Sequence, residues 1–174
     1  MSFFYLHTTQ NTKLGMAKPY AILFQKMVDG AKVIDTQKEW GIVCKDFPFK
    51  VFGDAKDLPS RSWPDKNGDD EFIPATIPVK SYEIDVEFAY KGDMNTANEK
   101  LILFFEYITG KNGDGSSLRV YDTYTKIGKQ KVRYVSCSED LFVRNTDEGD
   151  VVTFTVRFKV NDPVDNIVLL WVNG

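Results

Sequence analysis

Residues 82–90 read YEIDVEFAY. Tyr82, Ile84, Val86, Phe88 and Tyr90 alternate with Glu83, Asp85, Glu87 and Ala89. Only an extended strand sends successive side chains to opposite faces. The stretch therefore predicts a half-buried strand with an acidic outer face, suited to solvent or to a basic partner surface. A second long alternation lies at 151–160, VVTFTVRFKV. There Val152, Phe154, Val156, Phe158 and Val160 share one face, and Pro163 follows the strand.

Working outward from 82–90, Gly92–Asp93–Met94–Asn95 breaks the period of two. ANEKLILFFEYIT (97–109) changes the spacing: Leu101, Phe104, Phe105 and Ile108 fall on one helical face. Asn95 or Thr96 is the expected N-cap, with Glu99 placed for a capping box, and Gly110 the expected C-cap. A helix over about 96–109 is predicted, plugging one side of a sandwich or barrel. GKNGDGSS (110–117) reads as a flexible loop. LRVYDTY opens a strand over 117–126, which turns at Ile127–Gln130 into a partner strand at 131–138. Leu141–Val143, a turn at 145–150 and the apolar NIVLLWV (166–172) complete the downstream pattern.

Upstream, WGIVCKDFPFKVF (40–52) reads as a strand, with Pro48 marking an edge or bulge. Residues 53–74 form the most loop-like stretch, rich in Pro, Gly and Asp, and loops that long are usually functional or disordered. Residues 1–39 read as an N-terminal arm with short strands at 3–6 and 20–24 and a turn at Gly30. The whole of 1–174 is expected to be one β-rich domain, with 164–174 as a C-terminal apolar segment. The fold class is mainly β with one α-helix: an antiparallel β-sandwich or split barrel with a flanking helix.

Composition narrows the function. A chain of 174 residues can bury roughly 70% of its unfolded surface and needs neither metal nor disulfide. The aromatic share, 13 Phe, 8 Tyr and 3 Trp, favours strands and interfaces. With a net charge of −3 and mixed signs, no basic face for phosphates is expected. No apolar window approaches the roughly 18 residues of a membrane span, and no signal peptide is evident. Cys44 and Cys137 are expected as buried, reduced thiols.

Candidate chemistry is sparse. His7 is the only histidine and has no carboxylate or thiol near it in sequence, so neither a catalytic triad nor a His-rich metal site is expected. Asp65, Asn67 and Asp69 resemble the opening of a calcium loop, but Asp70 stands where that loop needs glycine and no Glu closes it. The glycines at 110, 113 and 115 follow a helix rather than precede one, so they lack the helix N-terminus that binds phosphate. Glu83, Asp85, Glu87 and Glu106 are the nameable carboxylates for a hydrolase. Without a second feature they read as a solvated face. No catalytic residue, metal or cofactor is expected.

The order of features carries more than any motif. PSRSWPDKNGDDEF leads into YEIDVEFAY, then the capped helix, then LRVYDTY, then VVTFTVRFKVNDP. Over roughly residues 40–162 this order resembles the ring-forming domain of phage distal tail proteins and related tail-tube proteins. The resemblance implies a structural protein that forms a homo-oligomeric ring, often a hexamer, around the tail channel. It implies partners in itself and in other tail or baseplate proteins, with DNA passing through unbound and no membrane. It places the protein in the virion tail, made in the host cytoplasm. Distal tail proteins usually continue into a carbohydrate-module-like domain; a chain stopping at Gly174 is expected to be a ring-only version. The residues themselves offer interface candidates in the 53–74 loop and the apolar ends: Trp63, Pro64, Phe72, Ile73, Val168, Leu169, Leu170 and Trp171. Trp63, apolar in a polar stretch, reads either as an interface anchor or as folded back on its own domain. The alternative function is a β-sandwich ligand- or carbohydrate-binding module using Trp40 or Trp63.

Overall fold

The computed structural model describes residues 2–6, 19–137, 142–146 and 149–171, with backbone alone at 2–6, 142–146, 149–150 and 169–171. In chain order the strands are β1 (Ser2–Leu6), β2 (Ile22–Lys26), β3 (Val33–Asp35), β4 (Ile42–Cys44), β5 (Ser60–Ser62) and β6 (Asp69–Glu71). They continue with β7 (Tyr82–Tyr90), β8 (Leu118–Asp122), β9 (Gly128–Cys137), β10 (Phe142–Thr146), β11 (Gly149–Val160) and β12 (Ile167–Trp171). Helix α1 (Thr36–Trp40) precedes β4, and α2 (Met94–Thr109) follows β7.

The two alternating stretches pair with each other. β7 and β11 run antiparallel from Tyr82↔Val160 to Tyr90↔Val152, so both apolar faces point the same way. The main sheet runs β3-β2-β8-β9-β11-β7-β4, all antiparallel. Its ends meet: Tyr20, just before β2, exchanges two backbone hydrogen bonds of 2.9 Å with Cys44 on β4. The sheet is thus a barrel closed at one bridge, the split-barrel alternative of the sequence reading. Two bulges in β9 supply curvature, one opposite Arg119 and one at Val135. β10 pairs with the first half of β11 on the edge where β9 pairs with the second half. β9 and β10 together act as one interrupted strand. β1 and β12 form a separate parallel pair.

The core lies inside this barrel and is largely aromatic. Phe24, Phe88, Phe154 and Phe158 from the strands meet Phe104 of α2 and Phe47 from the segment after β4. Phe104 stacks on Phe24 (6.2 Å between centroids) and meets Trp40, Phe88 and Phe154 edge-on at 5.5 to 5.9 Å. Each such ring fully withdrawn from water contributes about 1.5–3 kcal/mol. α2 therefore plugs the barrel, as expected, through Ala97, Leu101, Phe104 and Ile108. Gly110 closes it at φ 70°, where a Cβ would lie 2.6 Å from the Gly115 carbonyl oxygen.

Several boundaries differ from the sequence reading. The N-cap of α2 is Asp93, whose carboxylate accepts from Asn95 N at 2.9 Å. Asn95 and Thr96 lie inside the first turn. Residues 45–52 are not strand: β4 ends at Cys44, and Phe47 and Phe49 enter the core from an irregular segment. Pro48 sits between them without belonging to an edge strand. The β8 strand stops at Asp122, because its buried carboxylate accepts from Tyr124 N (2.8 Å) and Thr125 N (3.2 Å) and turns the chain there. The 53–74 stretch contains a hairpin, β5–β6. Cys44 is buried as expected, but Cys137 is exposed. The 145–150 turn falls partly outside the described residues.

Candidate functional site

Glu83, Asp85 and Glu87 lie on the outer face of β7, opposite Lys159, Arg157 and Thr155 of β11. Arg157 grips Asp85 in a fork, Nε–Oδ1 2.7 Å and Nη2–Oδ2 3.0 Å, and this holds the Asp85 carboxyl below the usual range. The basic partner for the acidic face is thus the next strand of the same sheet. Among the described residues no cluster of three or more His, Cys, Asp or Glu is placed to hold a metal ion. His7 lies outside the described residues. Among the described residues no helix is long and apolar enough to cross a membrane.

Buried charges escaped the sequence reading, Lys26 and Asp122 among them. Lys26, at the end of β2, donates to the carbonyls of Tyr107 and Gly115 and to Asp114 Oδ1 at 3.1 Å. Its ammonium also lies 4.5 Å from the Tyr107 ring. It thereby satisfies the end of α2 and ties down the 110–117 loop. Asp122, fully buried, accepts from Tyr20 Oη (3.1 Å) beside the barrel seam. Burial, with Asp122 nearby, pushes the Cys44 thiol up to about 12, so it is inert as a thiolate. Neither role has a sequence signal, since ILFQK reads as an ordinary amphipathic strand.

The distinctive feature is a ribbon leaving the barrel after β4. Its base is the Ala55↔Val79 bridge, with Lys56 N–Pro78 O at 2.8 Å and Lys80 N–Asp54 O at 2.7 Å. Phe72 N–Pro59 O (3.0 Å) and the β5–β6 ladder continue it to a tip turn. From Asp54 to Ser62 such a ribbon reaches up to about 27 Å. Its strands are exposed on both faces. Gly53 sets its exit: a Cβ there would meet Val79 Cγ1 at 2.5 Å and Pro163 Cβ at 3.1 Å.

The interface candidates fall into distinct groups. Trp63 is half-buried against its own hairpin: its Nε1 donates to Asp70 Oδ2 at 2.9 Å, and Arg61 lies 3.8 Å from its ring centroid. Pro64 is exposed beside it. Phe72 and Ile73 are 68% and 67% exposed on the return strand. Val168 is 46% exposed on β12, whereas the side chains of Leu169, Leu170 and Trp171 lie outside the described part. Trp40 is in the core, so it is not offered to any ligand. At the ribbon's base, Val51, Lys126, Ile127, Asn166, Ile167 and Val168 line a groove of about 380 Å³. That groove had no sequence signal, because its walls come from three separate segments.

Comparison with known proteins adds no family: no family model matches the chain, and no curated protein matches it significantly.

Proposed function

We propose that this chain is a structural subunit that assembles as a homo-oligomeric ring, of the kind that surrounds the channel of a phage tail or baseplate, and that it works without catalysis. The observation that carries this reading is the ribbon arm. It is braced by its own ladder and by the Trp63–Asp70–Arg61 stack, yet it presents Phe72 and Ile73 to solvent. A monomer gains nothing from holding apolar side chains out on a rigid ribbon, whereas a neighbour that covers them gains their burial.

The order of elements that suggested a tail ring also fits: a helix-plugged barrel flanked by an extended arm and an apolar terminal strand pair. The ring's partners are copies of itself, as a hexamer, and other tail or baseplate proteins. A net charge of −3 suits a channel that passes DNA without gripping it. The carbohydrate-binding reading has less support, because Trp40 is buried and Arg61 lies over the ring of Trp63.

The test is the size of the purified chain by light scattering across a concentration series, with negative-stain electron microscopy. Closed rings are expected. A strict monomer at the highest concentrations, with no ring in the presence of tail partner proteins, overturns the reading.

A further inference from the structure

We infer that the segment Glu71–Phe72–Ile73 of one copy seats in the groove at the arm base of a second copy, with Glu71 facing Lys126; this rests on the assembly reading above. Two groups of exposed apolar side chains lie on the arm and at its base. One is the ridge of Phe72 and Ile73 on the arm, and the other is the wall of the groove, Val51 and Val168 with Ile127 and Ile167 behind them. One is convex and the other concave. Their charges are opposite: the strand leading into the ridge is Asp69–Asp70–Glu71, and the only charged side chain lining the groove is Lys126. A groove of about 380 Å³ suits a pair of apolar side chains with a few polar groups at the rim.

In this structure the arm does not fill its own groove, since Phe72 and Ile73 stay 68% and 67% exposed. Phe72 is hydrogen-bonded opposite Pro59, roughly 20 Å along an extended ribbon from the joint at Gly53. The β5–β6 ladder and the Trp63 stack brace the outer part of that ribbon. The groove adjoins the joint itself, since Val51 precedes Gly53 and Pro163 packs against it. Ridge and groove are different surfaces of one chain, so their contact is head-to-tail, and repeating it closes a ring when the rotation allows. The occupant is thus a second copy of this chain.

The test combines charge exchange with cross-linking on the full chain. Phe72→Ser is expected to raise the concentration midpoint of association at least tenfold, about the loss of one interface anchor. Far-ultraviolet circular dichroism should not change, because Phe72 makes no core contact. Lys126→Glu alone is expected to weaken association roughly two- to fivefold at low salt, and Glu71→Lys added to it should restore the wild-type midpoint. Ile73→Cys with Val168→Cys, in a Cys137→Ser background under a mild oxidant, should give disulfide-linked ladders of two or more chains. If the wild type forms rings but the charge exchange restores nothing and no ladders appear, the groove is not the arm's seat, and the inference falls while the assembly reading stands. If the wild type is a monomer throughout, both fall.

Discussion

The barrel and the arm are built from the same chain by opposite means. In the barrel, β7 and β11 place one apolar face each against Phe104 and its neighbours, and burial holds the structure. In the arm, β5 and β6 read SRS and DDE with no buried residue between them. Backbone hydrogen bonds, the indole of Trp63 and the ion pairs Lys50–Asp54 and Lys80–Asp57 hold it instead. Exposed ion pairs of this kind contribute little to stability. The contrast teaches that rigidity and stability separate in this molecule. The barrel supplies the free energy of folding, and the arm supplies a shape.

The sharpest way to break that division is to remove a ring from each region. Phe104→Ala should cost about 3–5 kcal/mol in chemical denaturation, because it empties the point where α2 meets the strands. Phe72→Ala, measured in dilute monomer, should change stability by less than about 0.5 kcal/mol. A large loss at Phe72 would mean that the arm packs on its own barrel.

The next effect concerns the buried cation that joins helix to strand. Lys26→Met should cost about 1–3 kcal/mol, since the carbonyls of Tyr107 and Gly115 lose their donor. Amide exchange should quicken at 110–117 and leave the arm unchanged.

Acid should separate the two regions more gently. The Asp162 side chain is largely buried, which pushes its carboxyl up, but hydrogen bonds from Asp165 N, Gln130 and Lys131 outweigh burial and hold it below the ordinary value. Its contribution is present above the unfolded carboxylate's value of about 3.9 and is lost as pH falls through the lower folded value. Asp162→Asn should therefore flatten the acid limb of a thermal-melt series without altering the neutral plateau's shape.

The smallest global effect belongs to Trp63→Ala. The free energy of unfolding should stay within about 0.5 kcal/mol of wild type, while the β5–β6 amides lose protection. If those amides remain protected, the indole is not what braces the tip.

Legibility in the sequence followed burial. β7, β11 and the apolar face of α2 were readable because each buries one face against a continuous core, and burial imposes a period. Residues 45–52 misled because Phe47 and Phe49 alternate as in a strand, while the chain between them bends around Pro48 and makes no ladder. The β5–β6 hairpin was invisible because no burial patterns it; its register comes from the ladder and from Trp63 reaching Asp70. Phe72, Ile73 and Val168 could be named from sequence as apolar residues in polar or terminal settings. The groove could not, since Val51, Lys126 and Ile167 become neighbours only when the barrel brings three segments together. Lys26 and Asp122 were missed for a related reason: a polar residue next to an apolar run reads as solvent-facing until its distant partners are placed.

The ladder between β2 and β8 joins Ile22 to Asp122. On the ribosome, β2 therefore waits for most of the chain to be made before β8 exists, and only β3 and the Tyr20–Cys44 bridge are available earlier. Such distant pairings slow folding, because the loop must be closed before contacts reward it. Until then Ile22, Leu23 and Phe24 have only β3 to shelter them. The vulnerable period for this protein is thus its synthesis, and its dependence on chaperones should be set by β2 rather than by the arm.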